Sequence, residues 1–158
     1  MKRIILIVVC VVVGLLVIGG GAYFYVSNTS RKVANPLPMP ESGKVTVENA
    51  APLFYEGLPA DYLVVDVRTP QEYEKKHTDG MPNIPVALFE EDGACEKIVP
   101  QLPEGKKIIF VCPFGPRAEE MFYDLTDPVE DGGCGLDPHG MYYLIAKVKY
   151  GKDALIIR

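Results

Sequence analysis

The distribution of charge along the chain divides it into two unlike parts. The first acidic residue is Glu41, so all 21 carboxylate side chains lie from that point onward. Residues 4–26 form a run of 23 residues without a charged side chain, and only Lys2 and Arg3 are charged before it. Beyond Arg3 the chain has 14 Lys and Arg against 21 Asp and Glu, a formal charge of −7. An apolar N-terminal stretch and an acidic body therefore need separate interpretations.

The apolar stretch is long enough to cross a bilayer, because a helix of its length spans roughly 35 Å at ~1.5 Å per residue. It ends in the aromatic residues 23–25, which are typical of a membrane interface. A cleaved signal peptide is the alternative, since small residues at 20–22 resemble a cleavage site. We predict one transmembrane helix over 4–26, a signal anchor in the cell membrane. Both interpretations place the body on the periplasmic or extracellular side.

Prolines at 36, 38 and 40 mark the segment that follows. Alternating prolines favour extended polyproline geometry and disfavour a helix or a central strand. We therefore predict a Pro-rich linker over 27–43 that holds the following domain away from the membrane.

Residues 44–158 have the size of one domain and predict an α/β fold. Continuous apolar runs predict buried strands at Tyr62–Asp66, Lys107–Val111 and Ala154–Ile157. Helix-capable segments between them are Val47–Glu56, Pro70–Lys76, Arg117–Leu125 and Met141–Lys149. This order predicts an open parallel sheet flanked by helices on both faces. Functional residues of such sheets lie just beyond the carboxyl ends of the strands.

Cys112 occupies such a position, directly after a predicted buried strand. A short loop, Pro113-Phe114-Gly115-Pro116-Arg117, follows it and leads into a predicted helix. Backbone N–H groups and a helix N-terminus lower the pKa of a nearby thiol and favour the nucleophilic thiolate. The alternative is that Cys112 is a small apolar residue at the end of a strand.

Three ordered motifs resemble the rhodanese-like family of sulfurtransferase domains. They are Asp66-Val-Arg68 followed by Glu72-Tyr73, then His77-Thr-Asp-Gly80-Met-Pro-Asn83-Ile84-Pro85, and finally Cys112-Pro-Phe-Gly-Pro-Arg117. Each motif alone is weak, but their order and separation together are specific, and they cover the predicted domain.

The resemblance implies a single rhodanese-like domain in which Cys112 accepts sulfane sulfur as a persulfide. This is nucleophilic covalent catalysis that needs neither a metal nor an organic cofactor. Residues 113–117 would bind the donor, and Arg117 would provide a fixed positive charge for an anionic donor such as thiosulfate. Four residues separate Cys112 from Arg117, as in sulfurtransferase members. Phosphatase-like members have a loop one residue longer.

The loop departs from the family pattern in ways that predict weaker activity. Pro113 and Pro116 lack an N–H group, which removes donors that would stabilise a thiolate. Phe114 favours a less polar donor or a protein partner. A second hypothesis is therefore a non-catalytic or redox-sensing rhodanese-like module that recognises a protein. A protein thiol acceptor or a small sulfur-containing donor is expected, whereas the acidic body without a basic stripe argues against nucleic acid.

Four residues are predicted to support the site rather than react. Asp66 and Arg68 are expected to form an ion pair that braces the loop. Glu72 lies four residues after Arg68, within reach of it if the intervening turn is helical. His77 is interpreted as a loop histidine rather than a general base.

Cys95 and Cys134 both lie in polar, turn-rich segments. A disulfide between them would suit an exported domain. The alternatives are that one of them resolves an oxidised Cys112, or that both are free thiols. Cys134 lies in an insertion over 126–140, which we interpret mainly as a solvated loop, with a lid or partner contact as the alternative.

Overall fold

The computed structural model describes residues 37–158. The predicted transmembrane helix over 4–26 and most of the predicted linker lie outside the described residues. Across 37–158, every helix is too short or too polar to span a bilayer.

A four-stranded parallel sheet forms the centre of the domain. Its strands are β1 (Gly43–Val45), β2 (Tyr62–Asp66), β3 (Lys107–Val111) and β4 (Met141–Leu144), in the order β1-β4-β3-β2. The predicted strands 62–66 and 107–111 are confirmed, as is their parallel pairing. Asp66 pairs with Val111 at the carboxyl ends of β2 and β3, so Cys112 follows directly at this edge.

Four α-helices and short 3₁₀ turns surround the sheet. The helices are α1 (Val47–Glu56), α2 (Pro70–Lys75), α3 (Ala94–Ile98) and α4 (Pro116–Thr126). Side chains of α1 pack in one apolar cluster with residues from one face of the sheet. Side chains of α3 and α4 pack in a second cluster with residues from the opposite face. The prediction of helices on both faces is thus confirmed. The prediction was possible because a sheet covered on both sides needs apolar residues at consecutive strand positions.

The helix predicted over Met141–Lys149 is wrong. Its first part is β4, and its last part belongs to β5 (Val148–Tyr150). Val148 and Tyr150 are buried while Lys149 is exposed, the alternation expected of a strand with one covered face. Pairing of residues 141–143 with β3 decides the conformation of the first part, because tertiary contacts override weak local preferences.

The predicted strand Ala154–Ile157 exists in shortened form but lies outside the parallel sheet. β6 (Leu155–Ile157) pairs antiparallel with β5 in a separate two-stranded sheet. This hairpin packs in the same apolar cluster as α1, so the face covered by α1 is also covered by strands. A buried apolar run cannot by itself distinguish a central parallel strand from a hairpin strand buried against another layer.

The end of the predicted linker belongs to the domain. The Leu37 N–H donates to the Glu48 carbonyl at 2.9 Å, and the Asn49 side-chain amide donates to the Pro38 carbonyl at 2.7 Å. Gly43 is already the first residue of β1. Pro38 and Pro40 therefore precede the strand, where their lack of an N–H group costs no ladder hydrogen bond.

Candidate active site

Cys112 lies at the base of a tight loop between β3 and α4. Its side chain is buried, with 2% of the residue exposed. The Gly115 N–H points back at Cys112 and donates to its Sγ atom at 3.1 Å. An N–H donor at this distance is placed to stabilise negative charge that develops on the sulfur. Among the described residues, Cys112 is the free cysteine.

Gly115 allows the loop to close. Its φ of 114° lies in the region that favours glycine, and an added Cβ atom would come within 2.5 Å of Ile145 Cδ1 and 3.3 Å of the Leu144 carbonyl oxygen. The Gly115 carbonyl also accepts from the N–H groups of Ala118 and Glu119, both at 2.9 Å, in the first turn of α4. The same residue therefore starts the helix and directs an N–H at the sulfur.

The loop is also fixed by β5. The Val148 N–H donates to the Pro113 carbonyl at 2.9 Å. Phe114, between the two fixed residues, is 65% exposed, so an apolar side chain stands at the outside of the loop. Pro113 and Pro116 contribute no N–H groups, as their sequence requires.

Asp66 and Arg68 form the predicted ion pair at the end of β2. Arg68 Nη2 lies 2.6 Å from Asp66 Oδ2, and Arg68 Nε donates to both carboxylate oxygens at 2.9 Å. Burial by itself would lower the pKa of Arg68, but the hydrogen bonds and charge of Asp66 outweigh this effect and raise it. The pair is thus buried, and Asp66 holds the Arg68 guanidinium in its charged form.

The Tyr150 ring covers this ion pair. The Arg68 guanidinium lies 3.4 Å from the centre of the Tyr150 ring, a cation–π contact. Burial, followed by the charge of Asp66, raises the pKa of the Tyr150 phenol. β5 therefore contacts both the cysteine loop, through Val148, and the ion pair, through Tyr150.

The spacing predicted that Glu72 pairs with Arg68. In the structure Glu72 pairs with Arg117 instead. The two side chains meet in a bidentate arrangement, with Nη1 2.5 Å from Oε2 and Nη2 3.0 Å from Oε1. The Arg117 hydrogen bonds lower the pKa of Glu72 to about 2. The prediction fails because Arg68 turns toward its nearer neighbour Asp66, two residues away and on the same strand end.

His77 lies at the end of α2 and contacts Tyr73. The two rings stack with their centres 4.2 Å apart, and His77 Nδ1 lies 2.9 Å from the Tyr73 carbonyl. The neighbouring Lys76 carbonyl accepts from Arg68 Nη2 at 2.8 Å. His77 is thus part of the α2 terminus that packs beside the ion pair.

Three supporting residues were not predicted in these roles. Asn83 donates from its side-chain amide to the carbonyls of Asp66 and Arg68, both at 2.8 Å, and so fixes the segment after β2. Val148 lies in the helix predicted over 141–149, and Tyr150 has no role predicted from the sequence. The alternation of apolar and charged residues at 148–150 could have identified a strand, whereas its contact with the loop depends on the hairpin topology.

Cys95 and Cys134 form a disulfide in the structure, with Cα atoms 5.6 Å apart. It joins α3 to the insertion over 126–140. The insertion also folds back on α4, because the N–H groups of Cys134 and Leu136 donate to the carbonyls of Asp124 and Leu125. This segment is therefore attached at several points rather than being a free loop.

The fold and the site together define a parallel α/β domain with a buried cysteine in the loop just beyond the carboxyl edge of its sheet. The model of the rhodanese-like domain family matches residues 52–141 of this chain. The chain belongs to the rhodanese-like domain family.

Two solved structures resemble parts of the domain. One is a protein of unknown function from Rhodopseudomonas palustris CGA009, described as a possible tyrosine phosphatase. It is 22% identical, with a TM-score of 0.47, over 66% of this chain and 74% of that one. The other is a single-domain sulfurtransferase from Saccharomyces cerevisiae. It is 25% identical, with a TM-score of 0.35, over 67% of this chain and 86% of that one. No curated protein matches the sequence.

Proposed function

We propose that the protein is an exported, membrane-anchored sulfurtransferase that carries sulfane sulfur as a persulfide on Cys112. The observation that carries the proposal is the hydrogen bond from the Gly115 N–H to Cys112 Sγ at 3.1 Å, within a loop that begins where β3 ends. The N–H at this position is placed to stabilise negative charge on the sulfur during nucleophilic attack. Membership of the rhodanese-like family supports sulfur transfer as its chemistry.

The reaction has two half-steps. In the first, the Cys112 thiolate attacks the outer sulfur of a donor such as thiosulfate, the donor S–S bond breaks, and sulfite leaves with the bonding electron pair. Cys112 is then a persulfide anion, and the N–H of Gly115 is positioned to stabilise its charge. In the second, a thiophilic acceptor such as cyanide or a protein thiol attacks the outer sulfur and restores the Cys112 thiolate. The loop length between Cys112 and Arg117 favours sulfur transfer over phosphate chemistry.

The proposed location has two supports. One is the uncharged run over 4–26, and the other is the Cys95–Cys134 disulfide, since such bonds are typical of oxidising compartments. Extraction of native membranes with alkaline carbonate should leave the full-length chain in the membrane. Protease added to intact cells, with any outer membrane first permeabilised, should digest the domain. Release by carbonate would contradict the anchor, and complete protection would contradict export.

The transfer of sulfur to cyanide tests the enzymatic proposal. We expect thiocyanate formation from thiosulfate or from an organic persulfide to be lost in Cys112→Ser. A Cys95→Ala/Cys134→Ala double variant, assayed where it is folded, should retain activity. Full activity in Cys112→Ser would disprove the assignment of the nucleophile.

A redox-sensing or partner-binding module is the second candidate. The 2% exposure of Cys112 and the two prolines of its loop favour this candidate, because both slow turnover with small molecules. In that case the protein would show no multiple turnover with any donor. Peroxide would instead oxidise Cys112 in a way that a thiol reductant reverses.

A further inference from the structure

Arg117 is the cation expected to attract an anionic donor, yet its charge is already matched. Both of its terminal nitrogens contact the two oxygens of Glu72. Side-chain exposure is 32% for Arg117 and 39% for Glu72, so the pair lies partly open to solvent beside the loop. An incoming anion therefore meets a neutral pair rather than a free guanidinium.

Glu72 is fixed by its own helix and cannot simply move aside. The Thr69 N–H donates to Glu72 Oε2 at 3.2 Å, and the Thr69 hydroxyl donates to the same oxygen at 3.1 Å. These contacts form a capping box at the start of α2. Releasing Arg117 to an anion would thus require the loss of a charge-assisted bidentate contact at a preorganised carboxylate.

The other guanidinium at this edge of the sheet is neutralised as well. Arg68 is buried against Asp66 and covered by Tyr150. The exposed residues within the loop, Phe114 and Pro116, are both apolar. The surroundings of Cys112 in the described structure therefore combine two neutral ion pairs with an apolar entrance.

We infer that Glu72 determines the donor class by cancelling the charge of Arg117, so that the site disfavours the thiosulfate dianion and takes an organic persulfide. This inference rests on the proposed sulfur transfer. The Cys112 thiolate attacks the outer sulfur of the persulfide R–S–SH, and the donor S–S bond breaks. The leaving thiolate R–S⁻ takes the proton from the new Cys112 persulfide, which remains as an anion. The organic group R packs beside Phe114 and needs no cation.

The charge preference at Cys112 is measurable without sulfur transfer. Iodoacetate and iodoacetamide alkylate a thiolate by the same chemistry but differ by one negative charge, so the ratio of their rates reports the local field. In Glu72→Gln the side-chain amide oxygen can still accept the hydrogen bonds from Thr69, but the neutral amide no longer cancels the charge of Arg117. We expect the iodoacetate-to-iodoacetamide ratio at Cys112 to rise roughly three- to tenfold, as removal of one nearby charge predicts. Glu74→Gln on the exposed side of α2 is the matched control and should leave the ratio unchanged.

The donor preference is then tested by kinetics. Glu72→Gln should raise kcat/KM for thiosulfate relative to that for cysteine persulfide by a similar factor, and added salt should reduce the gain. Equal alkylation ratios in Glu72→Gln and Glu74→Gln, with both variants folded, would overturn the inference. If no donor supports transfer but the alkylation ratio rises, the proposed function fails while the electrostatic role of Glu72 stands.

Discussion

Gly115 connects the backbone of the loop to the chemistry of Cys112. Its N–H donates to the sulfur, its carbonyl starts α4, and its missing side chain leaves room for Ile145. The sequence places this glycine in the short loop after the cysteine. It could not reveal that the glycine also packs against the segment after β4, because that contact depends on strand order.

Replacing Gly115 with alanine should therefore lower the free energy of unfolding by more than backbone strain alone would. We expect a loss of about 2–3 kcal/mol in the free energy of unfolding, together with slower alkylation of Cys112. Gly57→Ala is the control, since Gly57 has a φ of 124° and no atom within 4 Å of an added Cβ. Urea unfolding of both variants gives the comparison. Equal losses in the two would show that the contact with Ile145 has no energetic role.

The pairing of Glu72 with Arg117 predicts that the stability of the domain depends on pH. The Arg117 hydrogen bonds lower its pKa from 4.5 to about 2 in the folded domain. A group whose pKa is lower when folded stabilises the protein above its unfolded pKa and loses this effect as the pH falls toward the folded pKa. Solvent screens the partly exposed pair, so the effect is smaller than that of a buried one.

The urea midpoint of the parent domain should therefore fall more steeply than that of Glu72→Gln between about pH 4.5 and pH 2. Below that range the difference between the two midpoints should be constant. Parallel curves over the whole range would contradict the pairing of Glu72 with Arg117.

At the level of elements, β5 organises the site. The N–H of its Val148 donates to the Pro113 carbonyl, and the ring of its Tyr150 lies over the Arg68 guanidinium. The strands β2 and β3 were predictable because long apolar runs need burial on both faces. β5 was not, since it is three residues long and its pairing with β6 is decided by packing against the sheet. The sequence therefore singled out Cys112 but not the strand that fixes its loop.

Tyr150 should contribute through its ring rather than its hydroxyl. Its oxygen lies 3.5 Å from Asp66 Oδ1, which is long for a hydrogen bond, whereas the ring directly covers the guanidinium. We expect Tyr150→Leu to lose about 2–3 kcal/mol of unfolding free energy and Tyr150→Phe at most about 1 kcal/mol. A loss in Tyr150→Phe as large as in Tyr150→Leu would instead assign the effect to the hydroxyl.

At the level of the whole domain, the disulfide joins α3 to the insertion after α4 across 39 residues of sequence. The cysteines and their turn-rich surroundings were visible in the sequence, but their pairing was one of several alternatives. The structure brings them together because the insertion folds back on α4 through backbone hydrogen bonds.

Loss of this bond should lower stability without removing the reactive thiol. Constraint of the unfolded chain predicts a loss of about 2–4 kcal/mol in the Cys95→Ala/Cys134→Ala variant. Urea unfolding measures the loss, and alkylation of Cys112 under folding conditions is the control. A large change in Cys112 reactivity in the folded variant would mean that the disulfide also shapes the loop.

The most direct test of the account is intact-mass and peptide mass spectrometry of the protein after exposure to a sulfane sulfur donor. The account predicts a gain of one sulfur atom on Cys112, reversed by cyanide and absent in Cys112→Ser. The Cys95–Cys134 peptide pair should remain unchanged. Failure of the folded protein to gain sulfur on Cys112 from either thiosulfate or an organic persulfide would contradict it.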